Sequence, residues 1–269
     1  MVSVKVAAVQ MVSEPELAPN LEAAGKLIAV AAAAGARLVA LPENFYLIGR
    51  HETDKLKLRE LDGSGPIQDF LSSVAKKFQV WIVGGTAPLP AEHDPQRIRG
   101  ACLVFDDAGR RVARYDKMHL FRFEGGGERY DETRTLEPGS GAVACDSPFG
   151  RLALSVCYDV RFPELYRGLG EFDILFVPSA FTVATGAAHW ETLLRARAIE
   201  NLAYVVAPAQ GGLHASGRRT HGHTMIVDPW GEVLGERAEG EGVVIAELDP
   251  QRLAQARSSL PALANRRIR

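Results

Sequence analysis

Cysteine is scarce in this 269-residue chain. Cys102, Cys145 and Cys157 are an odd set at wide, irregular spacing, which excludes a disulfide framework and supplies no zinc-binding pattern. Free thiols of that kind belong to a reducing compartment, so a cytoplasmic protein is expected. An excess of one charge is also lacking: 31 Lys and Arg face 33 Asp and Glu, for a net charge of −2. That points away from nucleic acid, and there is no acidic tail. Long hydrophobic runs are missing as well. The longest nearly apolar stretch, Leu27 to Ala36, is too short to cross a bilayer. At the start only Lys5 precedes a short Val/Ala stretch, with no small-residue cleavage pattern after it. Neither a membrane nor a secretory leader is expected. Linkers rich in Pro, Gly or Ser, low-complexity tracts and short repeats are absent too, so one domain over residues 1–269 is the simplest reading.

What is present is an ordinary globular composition, 46% hydrophobic and 24% charged, in a chain long enough to bury a sizeable core. Val4 to Val12 reads as a buried strand. Asn20 is placed to cap a helix to about Ala34, with Gly35 to stop it. Arg37 to Leu41 reads as the next strand, and Pro66 opens a helix to about Phe78. Cys102 to Phe105 and Arg111 to Tyr115 flank a hairpin turn, as do Thr224 to Val227 and Glu232 to Leu234. Residues 118–141 read as a long loop rich in Gly and charge, which inside a compact domain is usually functional. Leu152 to Val156, Asp173 to Pro178, Ala203 to Ala207 and Val243 to Leu248 read as strands. His189 to Asn201 and Pro250 to Arg257 read as helices. Strands and helices alternate with several hairpins, which favours an α/β layered fold over a purely parallel sheet.

Cys157 breaks an apolar strand and runs into a helix opened by Pro163. That is the pattern of a nucleophile elbow, where the following N–H faces an oxyanion. Taken alone it reads equally as a core cysteine. A thiol nucleophile needs a base, and none of the seven histidines stands in a context that marks it as one. Glu43 does better, because it leaves the end of the strand Leu38 to Leu41, where α/β sites gather. Lys117 follows another strand and can stabilise an oxyanion, although most lysines are simply surface residues. Glu132, further on, can hold that lysine charged and in place. Singly these are weak; together they form a constellation.

The segments around these residues are LPENF at Glu43, YDKMHLF at Lys117, YDET at Glu132 and LSVCYDVRFPELYR at Cys157. PSAF at 178–181, HWETLLRARAIEN at 189–201 and HGHTMIVDPWG at 221–231 join them. On these segments the chain resembles the nitrilase, or carbon–nitrogen hydrolase, superfamily over nearly its whole length. CYDVRFPE is similar to the amidase branch called the Nit subfamily. The resemblance implies a four-layer α-β-β-α sandwich and no cofactor. It implies Cys157 as nucleophile, Glu43 as general base, Lys117 as oxyanion stabiliser and Glu132 as supporting carboxylate. It implies a small linear amide as substrate: deaminated glutathione, released as 2-oxoglutarate and cysteinylglycine, or else 2-oxoglutaramate. It also implies a homodimer or higher homo-oligomer, formed through the helix 189–201, which carries more than one apolar stripe. The C-terminal helix and tail, 250–269, would then pack on the partner. Gly125-Gly-Gly127-Glu-Arg129 departs from the subfamily's pattern.

An acidic substrate needs cations. Arg161, Arg218 and Arg219 are candidates, with an ion pair to Glu164 as the structural reading of Arg161. Tyr158 follows the nucleophile. Phe181 and Trp190 either line the pocket or fill the core. His221-Gly-His223 lacks a third ligand in sequence, so no metal is expected. The competing reading of another class, a non-catalytic scaffold, does not require Glu43, Lys117, Glu132 and Cys157 to be kept together.

Overall fold

The computed structural model describes residues 1–125 and 128–267. From the N-terminus the elements are β1 (Val4–Gln10), α1 (Leu17–Ala33), β2 (Leu38–Leu41), α2 (Pro66–Phe78), β3 (Trp81–Gly84), β4 (Ala87–Pro90), β5 (Ile98–Phe105) and β6 (Arg111–Asp116). A hairpin of β7 (Arg122–Gly125) and β8 (Glu128–Asp131) follows, then β9 (Val143–Ser147), β10 (Gly150–Leu154), α3 (Pro163–Gly168), β11 (Ile174–Phe176) and α4 (Val183–Asn201). The rest comprises β12 (Tyr204–Ala207), β13 (Gly211–Leu213), β14 (Arg219–His221), β15 (Thr224–Val227), β16 (Val233–Arg237), β17 (Gly242–Leu248) and α5 (Pro250–Ser259).

Two sheets carry the fold. One has the order β17-β1-β2-β3-β5-β4, with β6 also paired to β5; the other has the order β16-β15-β12-β11-β10-β9. Strand periodicity explains how they stack, since successive side chains point to opposite faces. Val6, Ala8, Leu38, Ala40 and Val83 enter one core with Leu152, Leu154, Ile174, Phe176 and Val206 of the second sheet. Their alternates Ala7, Val9, Val39, Leu41 and Ile82 enter a second core with Ala24 and Ile28 of α1 and Ile67 and Leu71 of α2. The second sheet's other face takes Leu165 and Tyr166 of α3 and Trp190, Leu194 and Ala198 of α4. Helix, sheet, sheet, helix is therefore the layer order, as the family resemblance implies. No helix among the described residues is long and apolar enough to cross a membrane.

Several local expectations need correction. The stretch 118–141 is not one loop: it contains the β7–β8 hairpin and a short 3-10 turn at Glu132–Arg134. Phe123 opposite Tyr130 supplies the cross-strand pair that orders the hairpin. Gly126 and Gly127 of the divergent segment lie outside the described residues. Helix α1 begins at Leu17 with Glu16 at its cap, so Asn20 is not a cap. Its buried amide instead ties Glu14 to the Tyr46 carbonyl at 2.8 and 2.9 Å. Helix α4 starts at Val183, because the Thr182 side chain accepts from the Thr185 N–H. Its apolar content is not buried on two sides: Trp190, Leu194 and Ala198 face the sheet, while Ile199 is 43% exposed. Strand β4 gives no sequence pattern because it carries Pro88 and Pro90, which its edge position tolerates.

Candidate active site

Four chain segments meet where the strands β2, β6 and β10 end. Lys117 follows β6 and is 1% exposed, a placement that an unpaired ammonium does not tolerate. Its Nζ lies 2.7 Å from Glu43 Oε1, and 2.9 and 2.7 Å from the two oxygens of Glu132. Burial alone would lower the lysine's pKa, but Glu132 and Glu43 outweigh it and hold the group well above its ordinary value. Burial would likewise raise Glu132, and Lys117 foremost keeps it below the usual range. The Phe121 N–H donates to Glu132 Oε2 at 2.7 Å, fixing the carboxylate from the other side.

Cys157 is buried, and its backbone lies at φ +52°, in the left-handed region that non-glycine residues avoid. The strain is held in place. Its N–H donates to the Pro178 carbonyl at 2.9 Å, and Val156 N–H donates to Asp159 Oδ2 at 2.8 Å. Burial first, and then the Glu43 carboxylate, push the thiol well above its ordinary pKa, with Lys117 opposing. The resting group is therefore a thiol, and a base must take its proton before it attacks.

The backbone around the two charged residues is pinned by features that residue type alone does not announce. Gln210 donates to the Glu43 carbonyl at 3.2 Å, and Asn44 N–H donates to Thr86 Oγ1 at 2.9 Å. Gly85, at φ +53°, sits so close to Pro42 that an added Cβ would lie 2.1 Å from the Pro42 carbonyl oxygen. Gly139 does the same beside Lys117, with 2.1 Å to the Asp116 carbonyl oxygen. Each glycine lets a neighbouring backbone approach the residue just before a charged group.

A tight crevice of about 10 Å³ opens at the cysteine, lined by Cys157, Tyr158, Arg161, Phe181 and Thr185, with Phe121 at its edge. Thr185 and Phe121 are residues that the sequence alone does not single out. Arg161 does not pair with Glu164, which is exposed on the first turn of α3. Its Nη1 lies 3.2 Å from His189 Nδ1, its guanidinium stands over the Tyr158 and Phe181 rings at 5.7 and 5.5 Å, and its buried Nε has no partner. Phe181 serves both readings, since it lines the crevice and packs on Trp190 with ring centroids 4.7 Å apart. A second cavity of about 290 Å³ also borders Phe121 and is lined by Asn44, Lys55, Tyr130, Glu132 and Arg218. Arg218 donates to the Ala180 carbonyl at 3.1 Å and stands 5.2 Å over Tyr130. Arg219 is turned to the surface, where it pairs with Glu239 at 2.9 Å. His221 and His223 stack on one another, and His223 pairs with Glu236. Among the described residues no group of three or more His, Cys, Asp or Glu is placed to hold a metal ion.

A buried thiol on a strained turn beside a carboxylate–ammonium–carboxylate cluster can take up and return a proton and stabilise an anion at one carbon. Comparison with known proteins agrees with that chemistry. The chain is 46% identical over 265 residues to a deaminated glutathione amidase of Synechocystis, covering 97% of each. It is 38% identical over 268 residues to the human deaminated glutathione amidase, covering 97% of this chain and 82% of that one. The crystal structure of a Saccharomyces cerevisiae member of branch 10 of the nitrilase superfamily superposes with a TM-score of 0.87. That pair is 31% identical over 99% of this chain and 97% of the other. The carbon-nitrogen hydrolase family model matches residues 5–258. The chain therefore belongs to the carbon–nitrogen hydrolase family and is an enzyme of that class.

Proposed function

We propose that the protein is a cysteine amidase that cleaves deaminated glutathione to 2-oxoglutarate and cysteinylglycine through a thioester on Cys157. The observation that carries this reading is the Lys117 ammonium, clasped at 2.7 Å by both Glu43 and Glu132, with the Cys157 thiol within reach of their charges. The substrate class is taken from the relatives' names.

In this mechanism Glu43 takes the thiol proton as Sγ attacks the amide carbon. Lys117 and the Tyr158 N–H stabilise the oxyanion, and Glu132 keeps the ammonium charged and oriented. The intermediate collapses by breaking the C–N bond, and the departing nitrogen receives its proton from Glu43. Water then gives a proton to Glu43 and its oxygen to the thioester carbon. Collapse releases the acid, and the proton returns to Sγ. Arg161 binds the carboxylate of the acyl group; its unpartnered Nε in the crevice beside Cys157 supports this. Tyr158 and Phe181 form the crevice walls, and Arg218 belongs to the wider cavity.

Residues 1–269 act as one catalytic domain in a cytoplasmic homodimer or higher homo-oligomer. The three free cysteines and the exposed Ile199 on α4 support that part of the reading. Helix α5 buries Leu253 and Ala256 against its own chain, and its outer face and the tail after it pack on the partner; residues 268 and 269 of that tail lie outside the described residues. The test is release of 2-oxoglutarate and of ammonia or amine from deaminated glutathione, 2-oxoglutaramate and simple amides, measured side by side. Preference for deaminated glutathione is expected; equal, poor turnover of all three contradicts the assignment.

A further inference from the structure

One cation beside the site has no part in the chemistry above. Lys55 stands on the short turn Asp54–Leu58, half-buried, and lines the 290 Å³ cavity with Asn44, Glu132 and Arg218. Its nearby cations are occupied: Lys57 on that turn pairs with Asp54 at 3.0 Å, and Arg59 just after it donates to the Pro95 carbonyl. Lys55 makes neither a hydrogen bond nor an ion pair with any described residue. Burial pulls its pKa down, Glu132 pulls it back up, and the nearby Lys117 lowers it again. An ammonium drawn partly out of water without a partner is costly, and an arriving carboxylate removes that cost.

The two cavities give such a carboxylate a direction to come from. Phe121 is a wall of both. Cys157 lines the crevice, so the acyl group it captures lies on that side. The departing nitrogen takes its proton from Glu43, whose neighbour Asn44 lines the larger cavity. The substrate thus straddles Phe121, with its acyl arm at Arg161 and its leaving group over the cavity that holds Lys55. A leaving group of two residues extends about 7 Å beyond the scissile nitrogen, enough to carry its terminal carboxylate clear of the reaction centre. Arg218 is held by the Ala180 carbonyl and the Tyr130 ring, although its buried Nε has no partner, and Arg50 stands exposed on the cavity wall. Lys55 is the half-buried lining cation that makes neither a hydrogen bond nor an ion pair, and it is the one best placed to meet that carboxylate.

We infer that Lys55 is the specificity-determining cation of a leaving-group subsite, which recognises the terminal carboxylate of a peptide-like amine; this rests on the substrate reading above. A bare carboxamide, which releases only ammonia, leaves the subsite unused.

The test compares deaminated glutathione with its analogue carrying a C-terminal carboxamide. In the wild-type enzyme kcat/KM for the free acid is expected to exceed that for the capped analogue by at least about tenfold, the weak end of a charge-assisted hydrogen bond. The difference should sit in KM, because the contact is equal in ground and transition states. In Lys55→Met the ratio should fall to within about twofold of unity, since removing both partners is not additive. Lys55→Arg should keep most of it. A wild-type ratio near one overturns the subsite without needing any variant. A high ratio that persists in Lys55→Met assigns the carboxylate to another cation and overturns the role of Lys55. Turnover of 2-oxoglutaramate in the same series separates the two claims. A wild-type enzyme that cleaves it but not deaminated glutathione overturns the substrate reading, and the subsite with it.

Discussion

Tyr115 of β6 and Asp159, in the short 3-10 turn Cys157–Arg161 that follows β10, meet at 2.7 Å, with the phenol donating to Asp159 Oδ2. The same carboxylate accepts from the Val156 N–H at 2.8 Å and the His119 N–H at 3.0 Å, and it sits 2.7 Å from the His119 ring nitrogen. Tyr115 and His119 flank Lys117, and Val156 precedes Cys157. One fully buried aspartate therefore locks the lysine segment to the nucleophile turn. Asp159→Asn preserves shape but turns an NH2 toward two of these donors. The expected cost is about 2–4 kcal/mol of stability, from buried groups left unpaired. A displaced elbow should also lose about 10²-fold in kcat/KM. Urea melts and steady-state kinetics on the same preparation measure both.

Glu132→Gln should leave the Lys117 ammonium with Glu43 as its one carboxylate partner, the amide oxygen still accepting but carrying no charge. A loss of about 10²–10³ in kcat is expected, on the scale of removing a group that shapes oxyanion stabilisation. Stability should fall by about 1–3 kcal/mol, because Gln still accepts from Phe121 but no longer balances a buried charge. Activity within tenfold of wild type would show that Glu132 is structural only.

Gly85→Ala tests the backbone approach beside the base. The new Cβ meets the Pro42 carbonyl oxygen, and the left-handed φ adds its own strain. A loss of at least about 2 kcal/mol is expected, with a kcat decrease of about tenfold or more as Glu43 shifts. Thermal denaturation and a kcat/KM split report the two effects separately.

Acid sensitivity should trace partly to a histidine that takes no part in the chemistry but is linked through Ser13 and Gln210 to the Glu43 backbone. His214 bridges the Ser13 carbonyl and Thr220 Oγ1 at 2.9 and 2.8 Å, and burial foremost lowers its pKa to about 4. A free histidine titrates near 6.5, so between those values the unfolded chain binds more protons and stability falls as pH falls. The expected loss from this group is about 2 kcal/mol between pH 7 and pH 5. In His214→Gln that slope should flatten. Denaturant midpoints at the two pH values decide it, and an unchanged slope would assign the acid sensitivity elsewhere.

Much of the architecture is readable from residue pattern, because the near-continuous apolar runs Val4–Gln10 and Leu38–Leu41 announce strands covered on both faces. The hairpin in 118–141 is hidden because Gly and charge dominate it, while its ordering comes from Phe123 facing Tyr130 across the strands. Strand β4 is hidden by its prolines, which only an edge position permits. Asn20 misleads because the same side chain that caps a helix also bridges two loops.

The charged cluster is legible as residue types after strand ends, but what positions it is not. Gly85 and Gly139 act through a backbone approach, and Gln210 reaches Glu43 across 167 positions of chain. Asp159 lies inside a motif dominated by its neighbouring cysteine. Lys55 is one lysine among many until the cavity around it is seen. Non-local packing decides each of these, and one-dimensional spacing carries no trace of it.

If Cys157 forms the covalent intermediate, turnover of deaminated glutathione by Cys157→Ala shows it. In that variant kcat should fall by at least about 10³-fold, because removing a covalent nucleophile abolishes the pathway rather than slowing one step. Turnover within about tenfold of wild type, from a variant that melts as the wild type does, would contradict it.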